Sequence, residues 1–338
     1  MMAPGAPYVW YRIILPLQEM AAHGHDVTLV CADQSRGRGG GTTVGEMTGY
    51  DIITGQRWDK HDGMGTWRRM ALHSKLVYEI DDNVWGVETV NWAAYNRYSQ
   101  ADVQDAVSHQ AMVANLVTVT TEPLAQVMRD HNPRVAILPN HIPGWVCGHD
   151  RPRRDRPVIG WQGGASHGRD MGVIAKPVRR FLDRHSGWDC HLMGVDYRPT
   201  IRHQRVNFTP WVHVVDNPEG YYGGIDFDIG LAPLYPSRFS ESKSHIKVLE
   251  YAALGIPVIA SDCAPYRDFV VHGVTGFLVK REHEWLRYMD ELATDAGLRE
   301  AMGAKAREVA RGWTIETGYT LWERAYSALL GGVVTSQA

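Results

Sequence analysis

The chain is poor in cysteine. Cys31, Cys147, Cys190 and Cys263 are its four, and no two of them form a Cys-x-x-Cys pair. That spacing argues against a zinc site, and without an export signal at the start it argues against a disulfide framework, so a reducing cytoplasm is the expected setting. Long apolar runs are missing too. No stretch reaches the roughly 18 apolar residues a spanning helix needs, which leaves peripheral membrane contact open. Positive charge is not in excess either: the formal net charge is −3, so no global field draws the chain to nucleic acid. The one local basic run, Arg151, Arg153, Arg154 and Arg156, reads as a solvated linker. No Gly-x-Gly-x-x-Gly follows a first strand with an acid about 20 residues on, which makes a dinucleotide oxidoreductase the weakest reading. His131, His141 and His149 show no metal-ligand spacing on a helix and read as structural.

What is present is an alternation. At 338 residues the chain suits two domains of roughly 150 residues each. Val27–Cys31, Tyr50–Ile53, Leu76–Ile80 and Leu116–Thr120 are short apolar runs separated by helical patterns, the first helix covering Ile13–Ala22. Such runs imply parallel strands covered on both faces. The glycine-dense segment from Ser35 to Gly45 reads as a loop. A Pro- and Gly-rich boundary follows Val135–Asn140, and the pattern restarts at Val158 with strands at Cys190–Met193, Val206–Phe208, Phe227–Ala232, Val258–Ala260 and Phe277–Val279. The fold class expected is α/β, with two Rossmann-like, doubly wound parallel-sheet lobes. The first lobe covers 1–150 and the second 151–312, and a helix over 313–330 packs back across both.

The stretch from Lys243 to Ser261 carries the most chemistry. Lys243 and Lys247 flank a predicted helix start, Glu250 lies two turns on, and Gly255 with Pro257 ends the helix before the strand at Val258. Backbone N–H groups of Ser244, His245 and Ile246 at such a start, together with the two lysines, suit a diphosphate. The bland reading makes the lysines exposed helix-start residues and Glu250 an ion-pair partner of Lys247. Gly163 and Gly164, ahead of His167, Arg169 and Asp170, lie between a strand and a helix where glycine lets a ligand approach the backbone; Asp170 as a helix cap is the alternative.

These residues resemble the retaining glycosyltransferases of the GT-B fold, the large Glu-x7-Glu (glycosyl transferases group 1) family. The likeness is strongest over Phe239–Ser261, in a subgroup with a Lys-Ser-x-x-Lys-x-x-Glu-Tyr pattern before Gly-x-Pro-Val. Gly273-Val-Thr-Gly-Phe-Leu278 follows, and Glu79-Ile-Asp-Asp82, Gln56-Arg-Trp58, Thr120–Leu124 and Gly160–Gly164 fall in the family's order. The resemblance implies two lobes across a cleft and a nucleoside-diphosphate sugar as donor. No cofactor and no metal are needed, and the sugar passes with retention to the hydroxyl of a glycan, lipid-linked or protein acceptor while the departing phosphate helps take the proton. It also implies that Glu250 accepts both ribose hydroxyls and that His167, Arg169 and Lys243 stand near the diphosphate. Asp82 takes an interlobe acceptor role, and Gly5, Tyr8, Tyr11 and Arg12 meet the phosphate and the acceptor from the first lobe. Asp81-Asp82-Asn83 also invites comparison with the metal motif of the other glycosyltransferase fold, a reading set aside because the lobes alternate as Rossmann units.

Two departures stand out. The family's opening strand is reduced to a stub at most, and the first glutamate of Glu-x7-Glu falls on Ser242, one place after Glu241. They keep two other readings in view: a non-catalytic binding or scaffold protein of the same fold, and a sugar-nucleotide epimerase.

Overall fold

The computed structural model describes residues 7–30, 47–59, 63–150 and 154–331. Two parallel sheets carry the fold. The first holds β1 (Ile52–Gln56), β2 (Lys75–Glu79), β3 (Leu116–Val119) and β4 (Val135–Ile137) in that order. The second holds β5 (Val158–Gly163), β6 (Asp189–Gly194), β7 (Val206–Pro210), β8 (Ile229–Ala232), β9 (Val258–Ser261) and β10 (Gly276–Val279), in the order β10-β9-β8-β5-β6-β7. That is the doubly wound order, which reverses direction between β5 and β8. The central strands β3, β5 and β8 are buried along their whole length, as strands with helices on both faces must be, while the edge strands β4 and β7 are partly exposed.

The first lobe departs from expectation at its start. No strand precedes Ile52 among the described residues: Val27–Val30, expected to be strand, is unpaired, and Cys31 lies outside the described residues. An isolated extended segment has no ladder partner to fix it, so apolar composition alone does not make a strand. The helix ahead of it is longer than expected and covers 7–22, with Trp10–Ile14 wound as a π turn. Its buried residues and those of the helix Ile315–Leu329 belong to one apolar core with Tyr221, Phe227, Val248 and Tyr251 of the second lobe. The outer faces of the two sheets bury separate cores, around Trp67 and Tyr78 in the first and around Trp161 and Phe181 in the second.

The C-terminal helix lies against the first lobe. Tyr326 meets Thr54 at 3.0 Å, Glu323 meets His25 at 3.1 Å, and the Arg12 guanidinium sits 5.5 Å from the Trp322 ring centre. Thr314 stands at its N-cap position, though its side chain makes no capping bond. Where it is described, the arginine run is exposed between β4 and β5, as a solvated linker is, with Arg154 paired to Asp226 and Arg156 to Asp189 at 3.1 Å. No helix of the described residues is long and apolar enough to cross a membrane.

Candidate active site between the two sheets

The carboxyl ends of both sheets face one another, and the loops that leave them meet. From the first lobe come Arg57 after β1, Asp81 and Asp82 after β2, Thr121 after β3 and Asn140 after β4. From the second come the 164–170 loop after β5 and the segment 233–248 after β8. Ligands of doubly wound sheets bind where the strand order reverses, which here is the crevice between β5 and β8. Two bonds fix the lobes together there: Thr121 Oγ1 donates to the Ser242 carbonyl at 3.0 Å, and Asn140 Nδ2 donates to Ser244 Oγ at 2.9 Å.

Arg57 organises the first-lobe side. It sits in the left-handed region, φ 44°, which costs a non-glycine residue on the order of 1–3 kcal/mol. From there Nε donates to Asp81 at 2.5 Å and Nη2 to Asp82 at 2.5 Å, while the guanidinium lies 4.1 Å from the Tyr8 ring centre. Burial opposes the Asp82 charge, but Arg57 and then Lys243 outweigh it and hold this carboxyl below the ordinary aspartate value. Asp81 goes the other way, because its burial exceeds what Arg57 returns. The turn that follows is capped by Asn83, which accepts from Gly86 N at 3.1 Å.

On the second-lobe side, His167 Nδ1 meets Asp170 at 2.6 Å, and the other Asp170 oxygen accepts from the Tyr235 amide at 2.6 Å. Asp170 thus ties the loop after β5 to the loop after β8. The His167 ring stands edge-on to Trp161, and a Cβ at Gly163 would come within 2.5 Å of that indole and 3.2 Å of the imidazole. Glycine at 163 therefore serves ring packing, whereas Gly164 opens onto free space. Burial, with Lys247 and Lys243 adding to it, pushes His167 down to about 4 despite the Asp170 bond. Lys243 is partly exposed, its ammonium 4.4 Å from the Phe239 ring centre. The helix Ile246–Ala253 begins beside it without a side-chain cap, and the amides of residues 244–248 have no backbone acceptor among the described residues. Asp82, His167, Lys243 and this helix start are thereby brought together.

Several expected site residues are placed otherwise. Glu250 is 1% exposed, and its carboxylate is already taken: Tyr11 from the first lobe donates to Oε1, Tyr221 donates to the same oxygen at 2.9 Å, and Gln162 Nε2 donates to Oε2 at 2.5 Å. It faces inward instead of lining open space because its helix turns that face to the core, and burial lifts the carboxyl above its ordinary range. Lys247 is buried as well and donates to the Gln162 carbonyl, and burial lowers its proton affinity. The charge of each favours the charge of the other, although no ion pair joins them among the described residues. The His245 ring is packed between Phe269, stacked at 5.0 Å, and Trp313, edge-on at 4.6 Å, so only its backbone reaches the helix start.

Arg12 does not face the cleft. Its guanidinium is 1% exposed and forks onto Glu79 at 2.7 and 2.9 Å, with Asn140 Oδ1 at 3.1 Å and the Leu138 carbonyl as further acceptors. Arg169 stands at the rim, paired with Glu88 of the first lobe at 2.7 Å and 3.6 Å from the Tyr235 ring centre. Glu241 supplies no substitute for the carboxylate missing at Ser242, because it accepts from the Ala264 amide at 3.2 Å and caps that short helix. Gly5 lies outside the described residues. Arg57, Gln162 and Tyr221 were not singled out as site residues from the sequence; the left-handed backbone at Arg57 is a tertiary signal, and Gln162 stood unremarked inside the glycine motif.

Residues 156–295 match the family model described as Glycosyl transferases group 1. Comparison with curated proteins gives no match. Among solved structures, HepE of Anabaena in complex with UDP and glucose is 14% identical at a TM-score of 0.61, over 96% of this chain and 84% of that one. Sucrose-phosphate synthase from Thermosynechococcus elongatus is 16% identical at 0.59, over 84% and 74%. TarM, known from S. aureus, is 14% identical at 0.59, over 81% of this chain and 54% of its own length, so the chain spans about half of that protein. At such identities the likeness is one of fold. The chain has the two-lobed GT-B fold, and its second lobe carries the match to the glycosyl transferases group 1 family.

Proposed function

We propose that this protein transfers a sugar from a nucleoside-diphosphate donor held by the second lobe to an acceptor hydroxyl presented by the first, with retention and without a metal ion. The observation that carries the reading is the meeting, at the β5/β8 switch point, of Lys243, His167 and an uncapped helix N-terminus with Arg57 and Asp82 from the opposite sheet. Breaking the anomeric bond leaves charge on the departing diphosphate, and cations with free amides are the groups that stabilise it. HepE, solved with UDP-glucose, and the pneumococcal O-GlcNAc transferase GtfA, solved with UDP and GlcNAc, support a nucleotide-sugar donor. Ribose hydroxyls take the place of the Tyr11 hydroxyl at Glu250 when the lobes part, and closure then excludes water.

A donor at 100 times its Kd stabilises the fold by about 2.7 kcal/mol. Screening nucleoside-diphosphate sugars by thermal melting is expected to single out one with a clear upward shift. Lys243→Ala, which removes a charge-assisted bond worth about 1.5–3 kcal/mol, weakens that donor roughly 10- to 100-fold. Transfer assays in the presence of a chelator, with the product's anomeric configuration read by NMR, test metal independence and retention. A folded protein that no donor shifts counts against the reading.

The occupied Glu250 and the serine at 242 favour one alternative, a binding protein of the same fold that holds the nucleotide sugar without turnover. Saturable donor binding with no product under any acceptor would establish it.

A further inference from the structure

His167 and Asp170 form a couple that neither donor binding nor helix capping accounts for. Asp170 is 5% exposed and spends one oxygen on the imidazole Nδ1 and the other on the Tyr235 amide. A carboxylate only accepts, so Nδ1 carries the proton and Nε2 is the bare nitrogen. No hydrogen bond reaches Nε2 among the described residues, and the ring packs at a steep angle to the Trp161 indole, beside Gly163. The loop itself is tied down from beneath, where Tyr197 donates to the carbonyls of Gly164 and Ala165 at 3.3 and 3.2 Å. A ring held this firmly, with one nitrogen bare in a crevice rich in cations, is built to receive something.

The charged groups bearing on it are Asp170 on its own helix, Lys243 and Lys247 at the next helix start and Asp82 from the first lobe. Burial, with the two lysines adding to it, keeps the imidazole neutral. An incoming diphosphate reverses that balance: its negative charge cancels both lysines, and a carboxylate then stands at one ring nitrogen with phosphate oxygens at the other. Opposite charge within about 4–6 Å favours the charged form.

We propose that Asp170 is a positioning residue that holds His167 so that Nε2 takes up a proton from solvent as a nucleoside diphosphate enters, giving the leaving group an imidazolium donor present only in the loaded site. This rests on the donor reading above and deepens it. Asp170→Asn keeps an oxygen for the Tyr235 amide but turns an N–H toward Nδ1, which forces the proton onto Nε2 beforehand and removes the need for uptake.

Calorimetric titration of the full chain with UDP, GDP and ADP at pH 7.5, each in two buffers of different ionisation enthalpy, gives the protons taken up per ligand bound. Wild type is expected to take up about one proton more than His167→Asn, and Asp170→Asn to match His167→Asn. Lys247 is present in all three proteins, so the difference belongs to the imidazole. A merely structural Asp170 would change melting temperature or affinity and leave the proton count as in wild type. Equal counts in wild type and His167→Asn, or full uptake in Asp170→Asn, overturn the proposal. Absence of binding by folded wild type to all three nucleotides overturns the donor reading itself.

Discussion

Glu79→Ala is expected to cost about 3–5 kcal/mol of stability and to lower the melting temperature on the order of 10 °C. Glu79 and Arg12 are each 1% exposed, and the Thr118 hydroxyl completes the carboxylate's partners. Burial lifts the Glu79 carboxyl above its ordinary range even with Arg12 forked onto it, which says that desolvation is the larger force on this group. Removal of the acid therefore strands a guanidinium in an apolar core, and the stranded charge causes the loss. Glu79→Gln, which keeps the shape and removes only the charge, is expected to lose a similar amount, whereas trimming an exposed pair such as Glu122–Arg129 is expected to cost under about 1 kcal/mol. Urea unfolding of the three variants measures this. A loss below about 1 kcal/mol for Glu79→Ala would mean that the pair is solvated in solution and the closed contact between the 7–22 helix and β2 is wrong.

Acid lability is the second large expectation. His141, His167 and His245 are all lowered to about 4, in each case first by burial. A group whose folded pKa lies below its unfolded value contributes stability that is complete above the unfolded pKa, about 6.5 for histidine, and disappears as pH falls toward the folded one. Between pH 6.5 and 5 each ring therefore forfeits about 1.6 kcal/mol, or on the order of 5 kcal/mol for the three, a large part of an ordinary domain's stability. Glu250, Glu79 and Asp81 are raised and run the opposite way, returning part of that loss as they take up protons in the native state. His245 isolates the effect, because its buried Nε2 has no hydrogen-bond partner among the described residues and its ring is already packed as an aromatic between Phe269 and Trp313. His245→Phe is expected to match or exceed wild-type stability at pH 7 and to lose about 2 kcal/mol less on going to pH 5. Parallel pH profiles for the two proteins would rule out His245 as an acid-sensitive group.

Much of the architecture is legible in the sequence. Leu76–Ile80, Leu116–Thr120 and Val158–Trp161 are near-continuous apolar runs, and strands covered on both faces write that pattern into the chain whatever their neighbours are. The end of the helix at Ala253 was readable too, since Gly255 adopts φ 65° and Pro257 follows. Val27–Val30 misled because strand formation needs a paired neighbour, which local composition does not record. Arg12 and Glu250 misled for a related reason. Both are charged residues beside motif glycines or helix starts, where the ordinary inference is exposure to ligand, and nothing local shows that buried partners await them.

By itself, the sequence determined the alternation of strand and helix, the two parallel lobes, and the polar loop that runs into a helix and a buried strand between Lys243 and Ser261, since each of these depends on residues a few positions apart. Only the tertiary structure decided which charges face the crevice. Tyr11 reaches Glu250 across 239 positions, Gln162 reaches it across 88, and Arg12 reaches Glu79 across 67. Those encounters follow from bringing the carboxyl ends of two sheets together, and a buried charge goes wherever that packing supplies its counter-charge and hydrogen bonds.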